Sequence, residues 1–290
     1  MQDFKEWVRS WAPGPVWITA RRVAVYFGRL RIWLSVVIEV RGGGPVEAAK
    51  LYASAVCASV TALRSLDRWK DPYLIFDTLI VVPGTGRFHC RRGTDDLFHI
   101  LPSGQRPVRE VLEATLKPGD VFIDAGANIG AFTLLGARLV GPEGRVIAVE
   151  MMPDTAALLR NHIAINGLGW VEVVEQALSD QSGVELIARV PRLLAGQASI
   201  VRDTFRTDDL IEHRVRTTTL DDLAAGLDQI ALMKIDVEGA EAKAFLEHFD
   251  QMLNLLGFPL AWFCDSSFSG GSADAHAAFA RHSPSLSSLH

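Results

Sequence analysis

Carboxylates follow several short apolar runs in the second half of the chain, each at the point where the run ends. They are Asp124 in VFIDAGANIG, Glu150 in GRVIAVE, Asp180 in QALSD, and Asp236 with Glu238 in MKIDVEGAE. Because parallel strands end at one edge of a sheet and ligands bind beyond that edge, we expect these carboxylates to line one site. A lone acid there is more often a helix cap or a solvated charge. Four strand ends in order favour a nucleoside-containing cofactor.

The first of these strand ends carries a glycine-containing loop. Gly126 permits a tight turn and close approach of a ligand to the backbone, and Gly130 lets the following helix pack near the strand. The N-terminal amides of that helix then face the ligand. Glu150 lies 26 residues after Asp124, where a carboxylate can accept both hydroxyls of a ribose. Asp180 lies where the exocyclic amine of an adenine could bind.

The charge beside this loop discriminates between cofactors. A dinucleotide site requires G-x-G-x-x-G, because the pyrophosphate contacts the backbone and nearby carboxylates repel it. Here the first glycine is missing and Asp124 stands beside the turn. A carboxylate suits the ammonium and sulfonium groups of S-adenosylmethionine. We therefore expect S-adenosylmethionine, with a nicotinamide-dependent oxidoreductase as the less favoured alternative.

Strand and helix patterns alternate around these residues. This alternation predicts an α/β fold with a doubly wound parallel sheet covered on both faces. Residues 184–218 are less regular and are interpreted as an inserted hairpin. The strands are predicted at 121–124, 145–149, 171–178 and 230–235, and the helices at 129–140, 154–166 (capped by Asp154), 220–227 and 240–249.

The motifs between Lys117 and Glu241 resemble those of the FkbM-type class I methyltransferases. They are VFIDAGANIGAFT, GRVIAVE, NGLGWVEVVEQALSD, TTTLDDL and MKIDVEGAE, preceded by the lead-in RRGTDDLFHILPSG. The resemblance implies a Rossmann-like sheet and methyl transfer from S-adenosylmethionine, usually to a hydroxyl oxygen. It implies that the methionine end is held by Asp124, Gly126, Asn128 and Gly130, the ribose by Glu150, the adenine by Asp180 and its neighbours, and that Asp236 and Glu238 lie on the acceptor side.

Three residues of the last motif are candidates for the catalytic step. We hypothesise that Asp236 removes the proton of the acceptor hydroxyl, or orients it, with assistance from Glu238. Lys234 lies two residues earlier and so on the same strand face as Asp236. It either acts in catalysis or serves as a buried partner that keeps Asp236 ionised. The histidines form no metal-ligand spacing, and we expect no metal.

The chain departs from the family pattern after KIDVEGAE. The family fold continues with a fifth strand and a closing antiparallel pair, whereas one candidate strand, Phe258–Cys264, remains here. Residues 266–290 are serine-rich and predicted to be disordered. A shortened sheet would leave an exposed edge that favours an oligomer. It also keeps open a second interpretation, a non-catalytic methyltransferase-like binding protein.

The N-terminal region differs chemically from the rest of the chain. Residues 1–70 contain eleven lysines and arginines, five acidic residues and five of the seven tryptophans, whereas the remainder carries a net charge of −11. Two helices are predicted there, at 16–40 and 46–66. They either pack on the main domain with solvated arginines or lie in a membrane interface. The arginines within the first disfavour a spanning helix.

Composition and pattern suggest four regions and a cytoplasmic protein. The regions are a basic helical segment (1–70), a β-hairpin and helix lead-in (71–117), a Rossmann-like domain (118–265) and a serine-rich tail (266–290). The net charge of −5 gives no general case for nucleic-acid binding. Three widely spaced cysteines make a disulfide framework unlikely and fit a reducing compartment. The expected partners are a glycan or small-molecule acceptor and, through residues 1–70, a membrane surface.

Overall fold

A computed structural model describes residues 14–64, 72–191 and 210–236, with side chains described over 23–61, 72–188 and 211–236. The chain divides into two compact units. The first takes in the residues up to 83 together with 88–104, and the second takes in 84–87 and the residues from 105 onward. Among the helices described, none is long and apolar enough to cross a membrane.

The first unit combines two long helices with a small sheet. Its elements are α1 (Gly14–Glu39), β1 (Arg41–Gly42), α2 (Pro45–Arg64), β2 (Thr78–Val82), β3 (Gly86–Cys90) and α3 (Asp96–Ile100). The sheet order is β1-β2-β3. In β3 the side chains alternate between buried and exposed, which is the pattern of a strand with one solvated face. The two helices and the hairpin predicted from the sequence are confirmed.

The second unit is built on a parallel sheet. Its strands are β4 (Val121–Ala125), β5 (Arg145–Val149), β6 (Val171–Val174) and β10 (Leu232–Ile235), in the order β10-β4-β5-β6. All three pairings are parallel. The helices of this unit are α4 (Arg106–Thr115), α5 (Ala131–Val140), α6 (Pro153–Asn166) and α7 (Leu220–Ala224).

Helices cover both faces of this sheet because its strands are apolar on both sides. On one face, Leu220 and Leu223 of α7 pack against Ile123 and Ile147. On the other, Leu159 of α6 packs in a cluster with Ala148 and Ala127. This arrangement confirms the predicted α/β, Rossmann-like fold class.

The predicted third strand, 171–178, is wrong as a single element. The chain forms β6 and then a separate short strand, β7 (Ala177–Leu178), which pairs in parallel with β9 (Leu210–Thr218). The break falls at Glu175, whose carboxylate pairs with Arg160 of α6 at 2.7 Å. β9 also pairs antiparallel with β8 (Glu185–Pro191), which confirms the predicted inserted hairpin.

The N-terminus of α6 also differs from the prediction. Met152 is the N-cap residue and Pro153 occupies the first helical position, so Asp154 lies in the first turn instead of capping it. Proline fits the first turn because its missing N–H would have no partner there. The carboxylate of Asp154 still lies near the positive end of the helix dipole.

The side chain of Asn166, at the end of α6, bonds to the backbone of Arg87. Its Oδ1 accepts from the Arg87 N–H at 2.9 Å, and its Nδ2 donates to the Arg87 carbonyl at 2.9 Å and to the His162 carbonyl at 2.7 Å. Gly167 follows with φ +68° and ends the helix. Both polar atoms of this amide are therefore bonded to main chain.

Four sequence predictions lie outside the described residues. They are the helix at 240–249, the strand at 258–264, the serine-rich tail at 266–290 and the position of Glu238. Across the described ranges, no group of three or more histidine, cysteine or carboxylate side chains is arranged to hold a metal ion.

Candidate cofactor and active site

The loop after β4 bends sharply beside the end of β10. Gly126 has φ +77°, and a Cβ at this position would overlap the carbonyl oxygen of Asp236. Gly130 has φ +93°, and a Cβ there would overlap the side chain of Leu159. Asn128 lies between them with φ 49°, a conformation that asparagine tolerates better than most residues. The tight turn predicted at Gly126 is confirmed, whereas the closest packing at Gly130 is against the side chain of Leu159 in α6 instead of between the following helix and the strand.

Asp124 is fully buried at the end of β4. Thr133, in the first turn of α5, donates from Oγ1 to Asp124 Oδ2 at 2.6 Å. Lys234 lies beside Asp124 in the register of β10 and β4, and its Nζ is 3.2 Å from Asp124 Oδ1. That Oδ1 accepts no hydrogen bond among the described residues. Two neighbouring elements thus hold the carboxylate in place while one of its oxygens keeps capacity to accept.

Lys234 is buried and joins three groups of the site. Its Nζ donates to the Gly126 carbonyl at 2.9 Å, lies 3.6 Å from Asp236 Oδ2, and stands 5.4 Å from the centre of the Phe132 ring. Burial lowers the pKa of this ammonium, but the attraction of Asp124 and Asp236 outweighs it and the pKa is raised overall. Lys234 is therefore protonated, and its contacts connect the loop after β4 to the end of β10.

Asp236 follows the last residue of β10 and lies on the solvent-exposed side of Lys234. Its N–H donates to the Ala125 carbonyl at 3.0 Å, which continues the ladder one residue beyond β10. Its side chain is 49% exposed, unlike the buried Asp124 and Lys234. A carboxylate that is partly open to solvent and lies next to an ammonium is accessible to a second molecule.

Glu150 connects the end of β5 to the first loop. Its Oε2 accepts from the Asn128 N–H at 2.9 Å and its Oε1 from the Met152 N–H at 2.8 Å. Burial raises the pKa of Glu150 to about 7, although these two backbone bonds oppose the shift. The carboxylate therefore changes its ionisation near neutral pH.

Asp180 does not follow the third strand of the parallel sheet as predicted. It comes two residues after β7, and its Oδ1 accepts from the Ser179 hydroxyl at 2.9 Å. The acidic residue that follows β6 is Glu175, and it pairs with Arg160. The adenine contact of Asp180 stays a prediction.

The sequence of the second unit matches a known family. The sequence model described as "Methyltransferase FkbM domain" matches residues 124–256, a range that begins at Asp124 and contains the other residues of this site. The 31-O-demethyl-FK506 methyltransferase FkbM of Streptomyces tacrolimicus is 33% identical over 156 residues. Residues 124–256 are therefore similar in sequence to the FkbM methyltransferase domain.

Further relatives are more distant methyltransferases. Methyltransferase sdnD of Sordaria araneosa is 27% identical over 49% of this chain and 67% of its own length. The arsenite methyltransferase of Halobacterium salinarum is 25% identical over 47% of this chain and 44% of its own. The FkbM relative is matched over 44% of this chain and 59% of its own length. For two of the three, the chain therefore covers less than two thirds of the relative.

The residues of this site fit S-adenosylmethionine, the methyl donor of FkbM-type methyltransferases. The buried Asp124 Oδ1 forms an ion pair with Lys234 Nζ at 3.2 Å and accepts no hydrogen bond among the described residues. Within the described part of the chain, the site contains two carboxylates, Asp124 and Asp236, but only the single ammonium of Lys234 beside them, so negative charge is in excess. This charge suits the ammonium and sulfonium groups of the cofactor, and Glu150 offers a carboxylate for its ribose.

Sequence reasoning missed two residues of this site, Thr133 and Phe132. Both lie in the first turn of α5, where Thr133 bonds to Asp124 and Phe132 lies below Lys234. One signal was available, because Thr133 is the only polar residue in AFTLLG. A polar residue in the first turn of a buried helix needs a partner, and the nearest strand end supplies one.

Proposed function

We propose that this chain transfers a methyl group from S-adenosylmethionine to a hydroxyl oxygen of a sugar, a glycan or a small metabolite. One observation carries the proposal. The half-exposed carboxylate of Asp236 lies next to the turn at Gly126, and the buried ammonium of Lys234 joins both. An acceptor that reaches Asp236 would therefore stand beside the loop assigned to the methionine end of the cofactor.

The sulfonium of the cofactor supplies an activated methyl group. The protein must then align the acceptor oxygen opposite the sulfur, and alignment of this kind is worth up to about 7–11 kcal/mol. A hydroxyl also attacks better as it loses its proton to a base, typically by about 10²–10⁴-fold. We assign to Asp236 the role of accepting that proton, or of orienting the hydroxyl that gives it up.

Lys234 supports this role without contacting the acceptor. Its ammonium is 3.6 Å from Asp236 and also bonds to the loop carbonyl of Gly126. It attracts the Asp236 carboxylate and holds it beside the loop. This placement favours the buried-partner interpretation of Lys234 over direct catalysis, and we propose it as a positioning residue.

The known activity of one relative supports a hydroxyl acceptor. The Streptomyces tacrolimicus enzyme is named for a 31-O-demethyl compound, so its methyl group goes to oxygen. The Halobacterium salinarum relative is named for arsenite instead. The FkbM domain is the nearer comparison because its family model includes the residues of this site, and we therefore propose oxygen.

The decisive experiment combines cofactor binding with turnover in the full chain. Calorimetric titration with S-adenosylhomocysteine measures binding, and release of S-adenosylhomocysteine in a screen of sugar and small hydroxyl acceptors measures methyl transfer. In Asp236→Asn we expect binding to be retained and turnover to fall by at least about 10²-fold. Asp228→Asn, the same change at an exposed residue before β10, is the matched control and should keep both.

The outcomes separate the proposal from its alternatives. Full turnover in Asp236→Asn would overturn the assignment of that residue. A folded chain that does not bind S-adenosylhomocysteine would overturn the methyltransferase proposal and favour a non-catalytic binding protein. Binding of NADH without S-adenosylhomocysteine would favour the oxidoreductase. If the site is as proposed, Asp124→Ala and Glu150→Ala should each abolish S-adenosylhomocysteine binding.

A further inference from the structure

The two long helices of the first unit expose large apolar side chains. On α1, Val23, Phe27, Leu34 and Ile38 are exposed, with Phe27 at 60% and Ile38 at 78%. Their spacing of four, seven and four residues places them on one side of the helix. A solvated helix normally carries polar residues on such a side. We call this set of residues the α1 stripe.

The second helix also has an exposed apolar side. Its large exposed residues are Val46, Tyr52, Val56 and Val60. Between residues 45 and 61, where side chains are described, no exposed residue of α2 is charged. Its two charged residues in that range, Glu47 and Lys50, are half-buried and pair with each other at 3.3 Å. We call these four exposed residues the α2 stripe.

The stripes are not the surfaces by which the helices build the core of their unit. Among the described side chains, the buried residues of α1 are Arg29, Trp33 and Val36, and those of α2 include Leu51 and Ser54. At 100° per residue these lie on other sides of the helices than the stripes. The unit therefore has its own core and still presents two apolar surfaces to the outside.

The charge around the stripes is positive. Residues 14–64 contain seven lysines and arginines and two glutamates. Arg31 is exposed and lies between Phe27 and Leu34 along the α1 stripe, and Arg41 is exposed just after the helix. Of the two acids, Glu39 accepts bonds from the Ser35 hydroxyl at 2.6 Å and the Ser103 N–H at 2.9 Å. Glu47 is paired with Lys50.

We propose that the α1 and α2 stripes dock this protein on the surface of an anionic lipid bilayer. Apolar residues would enter the boundary between headgroups and acyl chains, and the arginines would stay at the level of the anionic headgroups. A helix that lies in this plane avoids taking Arg31 into the hydrocarbon, where a charge is costly. Tyr52 suits the boundary because its ring is apolar and its hydroxyl polar.

The charge argues against a second copy of the chain as the occupant. A symmetric dimer brings the same surface of each protomer together. Here that would oppose two regions that each carry a net charge of +6 over residues 1–70. Like charges facing each other weaken association, whereas an anionic bilayer complements them. The proposal also stands independently of methyl transfer, because no residue of the catalytic unit takes part in it.

The test is flotation of the full chain with lipid vesicles. We expect it to float with phosphatidylcholine vesicles that contain phosphatidylglycerol, less with phosphatidylcholine alone, and less at high salt because the attraction is screened. The double variant Phe27→Ser and Ile38→Ser should lower the partition coefficient by at least about tenfold, since burial of one large apolar side chain is worth that much. Phe98→Ser, which removes a 41% exposed phenylalanine outside both helices, should leave it unchanged.

Three results would overturn the proposal. The first is a folded wild-type chain that stays at the bottom of the gradient with anionic vesicles. The second is a double variant that floats as well as the wild type. The third is a dimer, seen by analytical ultracentrifugation, that the double variant dissociates. If the circular dichroism spectrum shows that the double variant is misfolded, Arg31→Gln is tested in its place. A salt dependence of flotation that is the same in Arg31→Gln as in the wild type would also contradict the proposal.

Discussion

Cofactor binding should strengthen as pH rises through neutrality, because Glu150 ionises there. Burial raises the pKa of Glu150 to about 7. The ionised carboxylate can accept hydrogen bonds from both hydroxyls of a ribose, whereas the protonated form carries a hydrogen that competes for one oxygen. If Glu150 holds the ribose, the bound state requires the ionised form and binding releases a proton below neutral pH.

The size of the effect follows from that pKa. With a pKa of about 7, roughly 9% of Glu150 is ionised at pH 6 and roughly 91% at pH 8. The association constant for S-adenosylhomocysteine should therefore rise about tenfold between these two pH values, since apparent affinity scales with the competent fraction. The association constant rises with pH because the ligand binds the ionised carboxylate and so lowers its pKa.

Titration calorimetry at pH 6, 7 and 8 measures this rise. Repeating the titration in two buffers of different ionisation enthalpy gives the number of protons released on binding. Glu150→Gln should bind weakly and with no slope over this range. Glu175→Gln changes an exposed carboxylate at the end of β6 and should keep the slope of the wild type. An affinity that is flat from pH 6 to 8, or a slope that survives in Glu150→Gln, would refute the reasoning.

Three further substitutions test the packing of the site. Gly126→Ala should abolish S-adenosylhomocysteine binding, because the added Cβ overlaps the carbonyl of Asp236. Lys234→Met should lower the free energy of unfolding by about 3–5 kcal/mol in urea denaturation, because it leaves the buried carboxylate of Asp124 without its counter-charge. Thr133→Val should lower it by about 1–3 kcal/mol, because Asp124 Oδ2 then loses the donor at 2.6 Å.

Matched controls separate these effects from general damage. Gly183 has φ +74° and open space around it, so Gly183→Ala has the backbone strain of Gly126→Ala without the overlap and should retain binding. Lys50→Met removes a partly exposed ion pair and should cost no more than about 1 kcal/mol. Equal losses in a variant and its control would contradict the proposed cause, and a Thr133→Val chain as stable as the wild type would remove the assigned bond.

Local sequence was sufficient to predict the parallel sheet and its first loop. The strands β4, β5 and β10 are short apolar runs bounded by turns, which is a local signal. The loop needs glycine at 126 and 130 for steric reasons that hold in any fold with this turn. The order of carboxylates at the strand ends followed from the same runs, so most of the site could be placed before the structure was known.

Pairing between distant segments could not be predicted in this way. Residues 171–178 were predicted as one strand, but Ala177 leaves the parallel sheet and pairs with β9, about 40 residues away in sequence. Lys234 was placed beside Asp236 by strand alternation, whereas its closer carboxylate is Asp124 on the neighbouring strand. Both contacts depend on which strands are neighbours in the sheets, and a local sequence pattern does not encode that order.

The way Asn166 is held bears on the chemical ageing of the protein. Asparagine followed by glycine is prone to deamidation, since the unhindered glycine nitrogen can attack the side-chain carbonyl carbon. Here both polar atoms of the Asn166 amide are bonded to the main chain of Arg87 and His162, and Gly167 is fixed by the helix end. The fold therefore slows this reaction. Deamidation would replace the amide donor with an oxygen that repels two carbonyls, so a chain damaged while unfolded would lose this anchor when it refolds.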